Sequence, residues 1–226
     1  MMKFTIPHDK VWLRPDKAYF ESQSQAQGIS PSELDWNGKY KGIRELRDLA
    51  IFGLCLCELH KTPFFVQMNS KDSSPDAFVM RASPDDPTTN EVGPIELTFY
   101  GRSRIALPKQ SLADKLSAKG GKFWKLPPRY CLLIHIGKGL QINHKEVATC
   151  LSKVNTNFQV FSIQEISDYP NTIARVVSYR PKYRSKDINV GEVCYKLQKS
   201  DIYGIVTQIR DRPPKSSQKY HDYKSN

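Results

Sequence analysis

From residue 40 to 60 the apolar positions Ile43, Leu46, Ala50 and Leu54 recur at helical spacing, and the second half of the stretch is apolar nearly all round. A helix of that kind is buried. Its first turns carry Arg44, Glu45, Arg47 and Asp48 instead, so the polar end emerges where solvent or a ligand reaches it. Thr62-Pro63 ends the helix. The β-branched and aromatic run 64–68 then reads as a strand, and Asp76 introduces a second over 77–80. Residues 95–100 read as a third, in which Ile95, Leu97 and Phe99 share one face while Glu96, Thr98 and Tyr100 share the other. An acid inside an otherwise apolar strand needs a metal or a basic partner to offset its desolvation.

Further along, residues 108–119 are expected to form a short helix closed by Gly120-Gly121, with a basic exposed face. Residues 130–136 are apolar on both faces, as a central parallel strand following a crossover helix would be. Asn143 with Glu146 three positions on is a capping box, and Val147, Cys150, Leu151 and Val154 behind it predict a second crossover helix. Strands follow over 158–166 and 172–179, then a basic segment from Arg180 to Lys186, and a last pair of strands within 189–209. Residues 1–38 read as an N-terminal extension packed on the domain, with one short helical turn capped by Ser30. Residues 39–209 read as a single α/β domain and 210–226 as a flexible basic tail.

Charge changes the picture more than composition does. The 34 Lys and Arg against 23 Asp and Glu leave a formal net charge of +11, which favours polyanions such as nucleic acid or an anionic membrane surface. No apolar run is long enough to cross a bilayer and the first ten residues lack the apolar centre of a signal peptide, so the expected location is cytoplasmic and no membrane is expected as partner. Five cysteines, an odd number set in apolar runs, suit buried thiols rather than a disulfide framework. Cys55, Cys57 and His60 are spaced poorly for one metal on a helix.

The order helix, three strands carrying acids, helix, central apolar strand, with Glu45, Pro75-Asp76 and Glu96-Leu97-Thr98 placed along it, resembles the PD-(D/E)XK nuclease superfamily over roughly residues 40 to 140. The resemblance implies a restriction-endonuclease-like mixed β-sheet flanked by helices, here with an N-terminal extension and additional C-terminal strands. It implies a hydrolase cutting phosphodiester bonds in DNA or RNA with Mg²⁺ or Mn²⁺ as cofactor. Residue by residue, Asp76 takes the place of the motif aspartate, Glu96 that of the second acid and Glu45 that of the helix acid, the three forming the metal set. Thr98 falls where the family has its lysine. A cation from elsewhere would then complete the catalytic set of Asp76, Glu96 and Thr98; Lys109 heads that list, with Lys71 and Arg102 as alternatives.

The other reading keeps the fold and drops the chemistry: a nucleic-acid-binding or complex-assembly subunit with a protein partner, its site decayed at Thr98. Arg102, Arg104, Lys109, Arg180, Lys182, Tyr183, Arg184 and Lys186 are the expected nucleic-acid contacts, since Lys and Arg neutralise phosphates and tyrosines stack on bases. His135, within an apolar strand, reads as a hydrogen-bonded core residue. Neither a phosphate-binding P-loop nor a Gly-x-Ser-x-Gly nucleophile elbow occurs.

Overall fold

A computed structural model of the chain describes residues 11–69, 74–82, 90–101, 108, 110–118, 126–153, 158–167 and 171–200. Seven strands form one mixed sheet in sequence order: β1 (Phe64–Met68), β2 (Ala77–Ala82), β3 (Asn90–Tyr100), β4 (Cys131–Ile136), β5 (Gln159–Glu165), β6 (Ile173–Arg180) and β7 (Arg184–Asn189). β1, β2 and β3 form an antiparallel meander, β3, β4 and β5 run parallel, and β6 and β7 return antiparallel. The fold is thus mixed α/β, with helices on both faces of the sheet.

On one face lie α1 (Pro15–Gln25), α3 (Lys41–His60) and α6 (Val190–Lys199), whose buried residues join Ile95, Leu97, Leu133 and Ile163 in one core. Opposite, α4 (Leu112–Ser117) and α5 (His144–Ser152) pack on Tyr100, Leu132, Ile134, Ile136 and Val160. The expected crossover helices are therefore present, and β4 is buried at every position, as its two apolar faces require. Burying one Leu or Ile side chain contributes about 1.5–3 kcal/mol, so these two cores dominate stability.

The N-terminal residues do more than the sequence shows. Residues 15–25 form α1, opened by Pro15 and with Ala18 and Tyr19 buried in the α3 core, although no helical run of apolar residues marks it. Gly53 on α3 allows this approach, since a Cβ there would lie 2.8 Å from Pro15 Cγ and 2.9 Å from Val66 Cγ1. Asp16, fully buried, is held by Arg14, which also donates to the Leu197 carbonyl of α6. The helical turn after Ser30 is α2 (Pro31–Trp36), with the Ser30 hydroxyl accepting from Glu33 N–H at 3.2 Å.

Two expectations for the C-terminal third are corrected. The basic segment runs into a strand, β7, because Arg184, Lys186 and Ile188 alternate against Ser178, Val176 and Ala174 of β6. Residues 190–199 are helical rather than the start of a strand pair. Val190, Val193, Cys194 and Leu197 fall on one buried stripe at helical spacing, and Asn189 caps the helix by accepting from Glu192 N–H at 3.1 Å. The tail from 201 onward lies outside the described residues. No described helix is long and apolar enough to cross a membrane.

Candidate functional site at the open edge of β3

The site follows from a mismatch in strand length. β2 begins at Ala77, opposite Ile95, whereas β3 continues to Tyr100 paired only with β4. Among the described residues, the edge of β3 beyond Ile95 has no strand partner on the β2 side. Backbone groups of alternate residues turn to the same side of a strand, so Leu97 and Phe99 present theirs to that edge. Asp76, immediately before β2, uses its Oδ2 to accept the Leu97 N–H at 2.7 Å. That bond satisfies a backbone donor which would otherwise cost about 1–3 kcal/mol if buried unpaired.

It also puts the Asp76 carboxylate against the peptide that joins Glu96 to Leu97. Glu96 Oε2 accepts from the Ser74 hydroxyl at 3.3 Å, which ties the residue two ahead of Asp76 to the same strand. Glu45 reaches Asp76 from α3. Its carboxyl is held above the usual carboxylate range chiefly by burial, with a further push from the Asp76 charge, even though Lys41 pairs with it at 3.3 Å and pulls the other way. Asp76 therefore stands between an acid on the α3 side and an acid on the opposite face of β3. Among the described residues no three His, Cys, Asp or Glu side chains are grouped so as to hold one ion, and Glu45, Asp76 and Glu96 are not a three-ligand cage.

One turn further along α3 lies a second group of acids that the sequence reading did not single out. Asp48 Oδ1 pairs with His135 Nδ1 at 2.8 Å, and Asp35 Oδ1 lies 3.4 Å from Nε2 in an ion contact without hydrogen-bond geometry. Burial alone would lower the pKa of His135; the Asp48 charge, and then Asp35, overcome this and push it up to about 10. Asp35 is held below its usual range: burial works against this, and is outweighed by His135, the Lys138 N–H at 3.0 Å and Arg44. Phe99 stacks on His135 with ring centroids 5.3 Å apart, Arg44 lies 4.7 Å over the other ring system, that of Phe99, and donates to the carbonyls of Leu34 and Asp35. Beside them Arg47 pairs with Glu165, a carboxyl that burial holds above its ordinary range. His135 is thus the hydrogen-bonded core residue the sequence suggested, and in charged form.

The remaining candidates divide. Lys71, Arg102, Arg104 and Lys109 lie outside the described residues. Thr98 is half-buried on the Glu96 face of β3. Among the described residues, a lysine that reaches this strand is Lys115 of α4, whose Nζ donates to the Phe99 carbonyl at 3.1 Å. A signal for it was present: Lys115 follows the buried Leu112 by three positions, which turns it toward the packed side of a helix.

Of the expected nucleic-acid contacts, Arg180 is tied to the end of α5 through the Leu151 carbonyl at 2.9 Å, while Lys182, Tyr183 and Arg184 are exposed. The row Leu97, Leu133, Phe161, Ser178, Arg184 crosses the sheet, so Arg184 lies four strand spacings, about 19 Å, from the open edge. Arg184 and Lys186 turn to the α3 side with Ile188, away from Glu96, and Lys186 lies 3.9 Å from Glu58. The five cysteines are free thiols, and burial pushes that of Cys55 up to about 12. The chain matches no family model, no curated protein and no solved structure.

Proposed function

We propose that this chain is a divalent-metal-dependent nuclease of the restriction-endonuclease-like class, hydrolysing phosphodiester bonds in DNA or RNA. The observation that carries the reading is the Asp76 to Leu97 N–H bond, which sets a carboxylate against the peptide that joins Glu96 to Leu97, at the fork where β2 ends and β3 goes on. The order α3, β1, β2, β3, α4, β4 around that fork supports the reading, since the resemblance rests on a helix, three strands, a helix and a central strand in that order.

A metal fits these residues in a limited way. Mg²⁺ keeps several waters and is ordinarily held by one or two carboxylates together with substrate phosphate oxygens, which suits Asp76 and Glu96 without a third protein ligand. Mutual repulsion between Asp76 and Glu45 supplies a further electrostatic reason for a cation to settle there. When bound, such an ion polarises a phosphate and offsets the charge that builds on it during hydrolysis. The chain's own part is positional: Leu97 N–H fixes the rotamer of Asp76, Ser74 steadies Glu96, and the +11 net charge draws a polyanion.

The test is incubation of purified protein with labelled single- and double-stranded DNA and RNA in Mg²⁺ or Mn²⁺, with chelator as control. Metal-dependent cutting that Asp76→Asn removes is the expected result. Failure to cut any of the four substrates with either ion overturns the reading. Thr98 favours the second reading, a nucleic-acid-binding subunit without hydrolytic activity, and binding without cutting would be its signature.

A further inference from the structure

The open edge of β3 carries a second fixed charge. Two residues beyond the Leu97 N–H that Asp76 occupies, about 7 Å along the strand, the Phe99 carbonyl is occupied by the Lys115 ammonium. A carboxylate and an ammonium are therefore mounted on one strand edge, each by a main-chain bond. Lys115 is not a side chain trailing in solvent. Its ammonium lies 5.7 Å from the Tyr100 ring centroid, and α4 is anchored beneath it by Leu112, Ala113 and Leu116 and capped by Ser111.

Beside the ammonium lies a hollow of about 430 Å³ lined by Phe99, Tyr100, Gly101, Pro108, Gln110 and Lys115. Its wall is preset, because the Tyr100 hydroxyl donates to the Gln110 carbonyl at 2.8 Å and Gly101 is packed under the Phe99 ring. An ammonium lining a hollow, held by a carbonyl and beside an aromatic ring, is suited to a phosphate oxygen: the bond to a charged oxygen is about twice as strong as one between neutral groups.

We propose that this hollow is a phosphate subsite, in which Lys115 holds the phosphodiester next along the strand from the one at Asp76 and Glu96. The proposal rests on the nuclease reading for the strand's identity, but it concerns binding and is separable from hydrolysis. A phosphodiester within a nucleic-acid strand is the assigned source; free phosphate is the other source of the same chemistry.

The test measures anisotropy of a labelled single-stranded oligonucleotide over a salt series, with Ca²⁺ present, for the full chain and for the Lys115→Gln and Lys115→Arg variants. Thermal unfolding confirms that each variant is folded. Lys115→Gln is expected to weaken binding about tenfold, equivalent to one charge-assisted hydrogen bond. It should also reduce the slope of log K against log salt by about 0.7, the share of one phosphate on a single strand. Lys115→Arg should keep both within a small factor. Equal affinity and slope in Lys115→Gln and the unaltered chain overturn the subsite, as does absence of oligonucleotide binding by the unaltered chain. If inorganic phosphate binds in a Lys115-dependent way and the oligonucleotide does not, the phosphodiester assignment is overturned in favour of free phosphate. Lys115-dependent oligonucleotide binding by a chain that cuts nothing in Mg²⁺ or Mn²⁺ removes the proposed activity and leaves the subsite standing.

Discussion

Glu45 and Asp48 stand three residues apart on α3, and the helix delivers them to opposite situations. Asp48 is buried against an imidazolium whose Nδ1 it bonds, while Asp35 lies 3.4 Å from Nε2 and Phe99 stacks on the ring. Glu45 is delivered to a strand edge where, although Lys41 pairs with it at 3.3 Å, a second carboxylate, Asp76, adds repulsion. Opposite buried charges act as a clamp: α2, α3 and β4 are held together by one histidine. Mismatched charges at a half-exposed edge do the reverse, since like charges held together by the fold are relieved by a cation from outside. The contrast teaches that acids within a single turn of helix are sorted into structural and binding roles by what the sheet puts opposite them.

The sharpest way to break the comparison is Asp76→Asn, which keeps an oxygen acceptor for Leu97 N–H while removing the charge. Metal-dependent cleavage should vanish with the unfolding midpoint little changed; an unchanged cleavage rate would dissolve the distinction between the two acid groups. Next in size is His135→Ala. Removing the cation leaves Asp48 buried and uncompensated, at a cost of about 3–5 kcal/mol in urea unfolding.

Gly101→Ala probes the join between the two regions. A Cβ there would lie 1.9 Å from Phe99 Cζ, so the ring must leave its stack on His135, and overpacking of this kind costs about 1–3 kcal/mol. The pH dependence is a milder perturbation of the clamp. The folded pKa of His135, raised to about 10 from an ordinary 6.5, means that its contribution is fully present below pH 6.5 and is lost as pH rises through 10. Asp35, held below its ordinary value, contributes at neutral pH and loses its share as pH falls through its folded pKa. A stability profile that falls on the alkaline side in the unaltered chain and is flatter in His135→Ala checks this. Smallest is Glu45→Gln, which relieves the repulsion by Asp76. It should raise stability by less than about 1 kcal/mol while weakening Mn²⁺ binding in a calorimetric titration.

Much of this was legible in order along the chain. The spacing of Ile43, Leu46, Ala50 and Leu54 specifies the buried helix, the alternation of 95–100 specifies the third strand, and the run 130–136 specifies a central one; each depends on residues within a few positions of one another. The same local rules put Asp76 at the head of one strand and Glu96 inside the next. They failed at α1, whose helix is stabilised by packing on Gly53 and Val66 rather than by its own pattern. At residues 190–199 the stripe from Val190 to Leu197 was there to be read at helical spacing, where a strand pair was expected.

What the amino-acid sequence determined by itself, then, is the succession of elements, the free cysteines, the positive charge and the two acids of the fork. Tertiary structure alone decided that β2 stops opposite Ile95, so that Leu97 and Phe99 offer an edge to Asp76 and Lys115, and that His135 meets Asp48 from 87 residues away. The physical reason is range. Helical and strand periodicities are read from neighbours in the chain, whereas an open strand edge and the partner of a buried charge exist only after distant segments have packed.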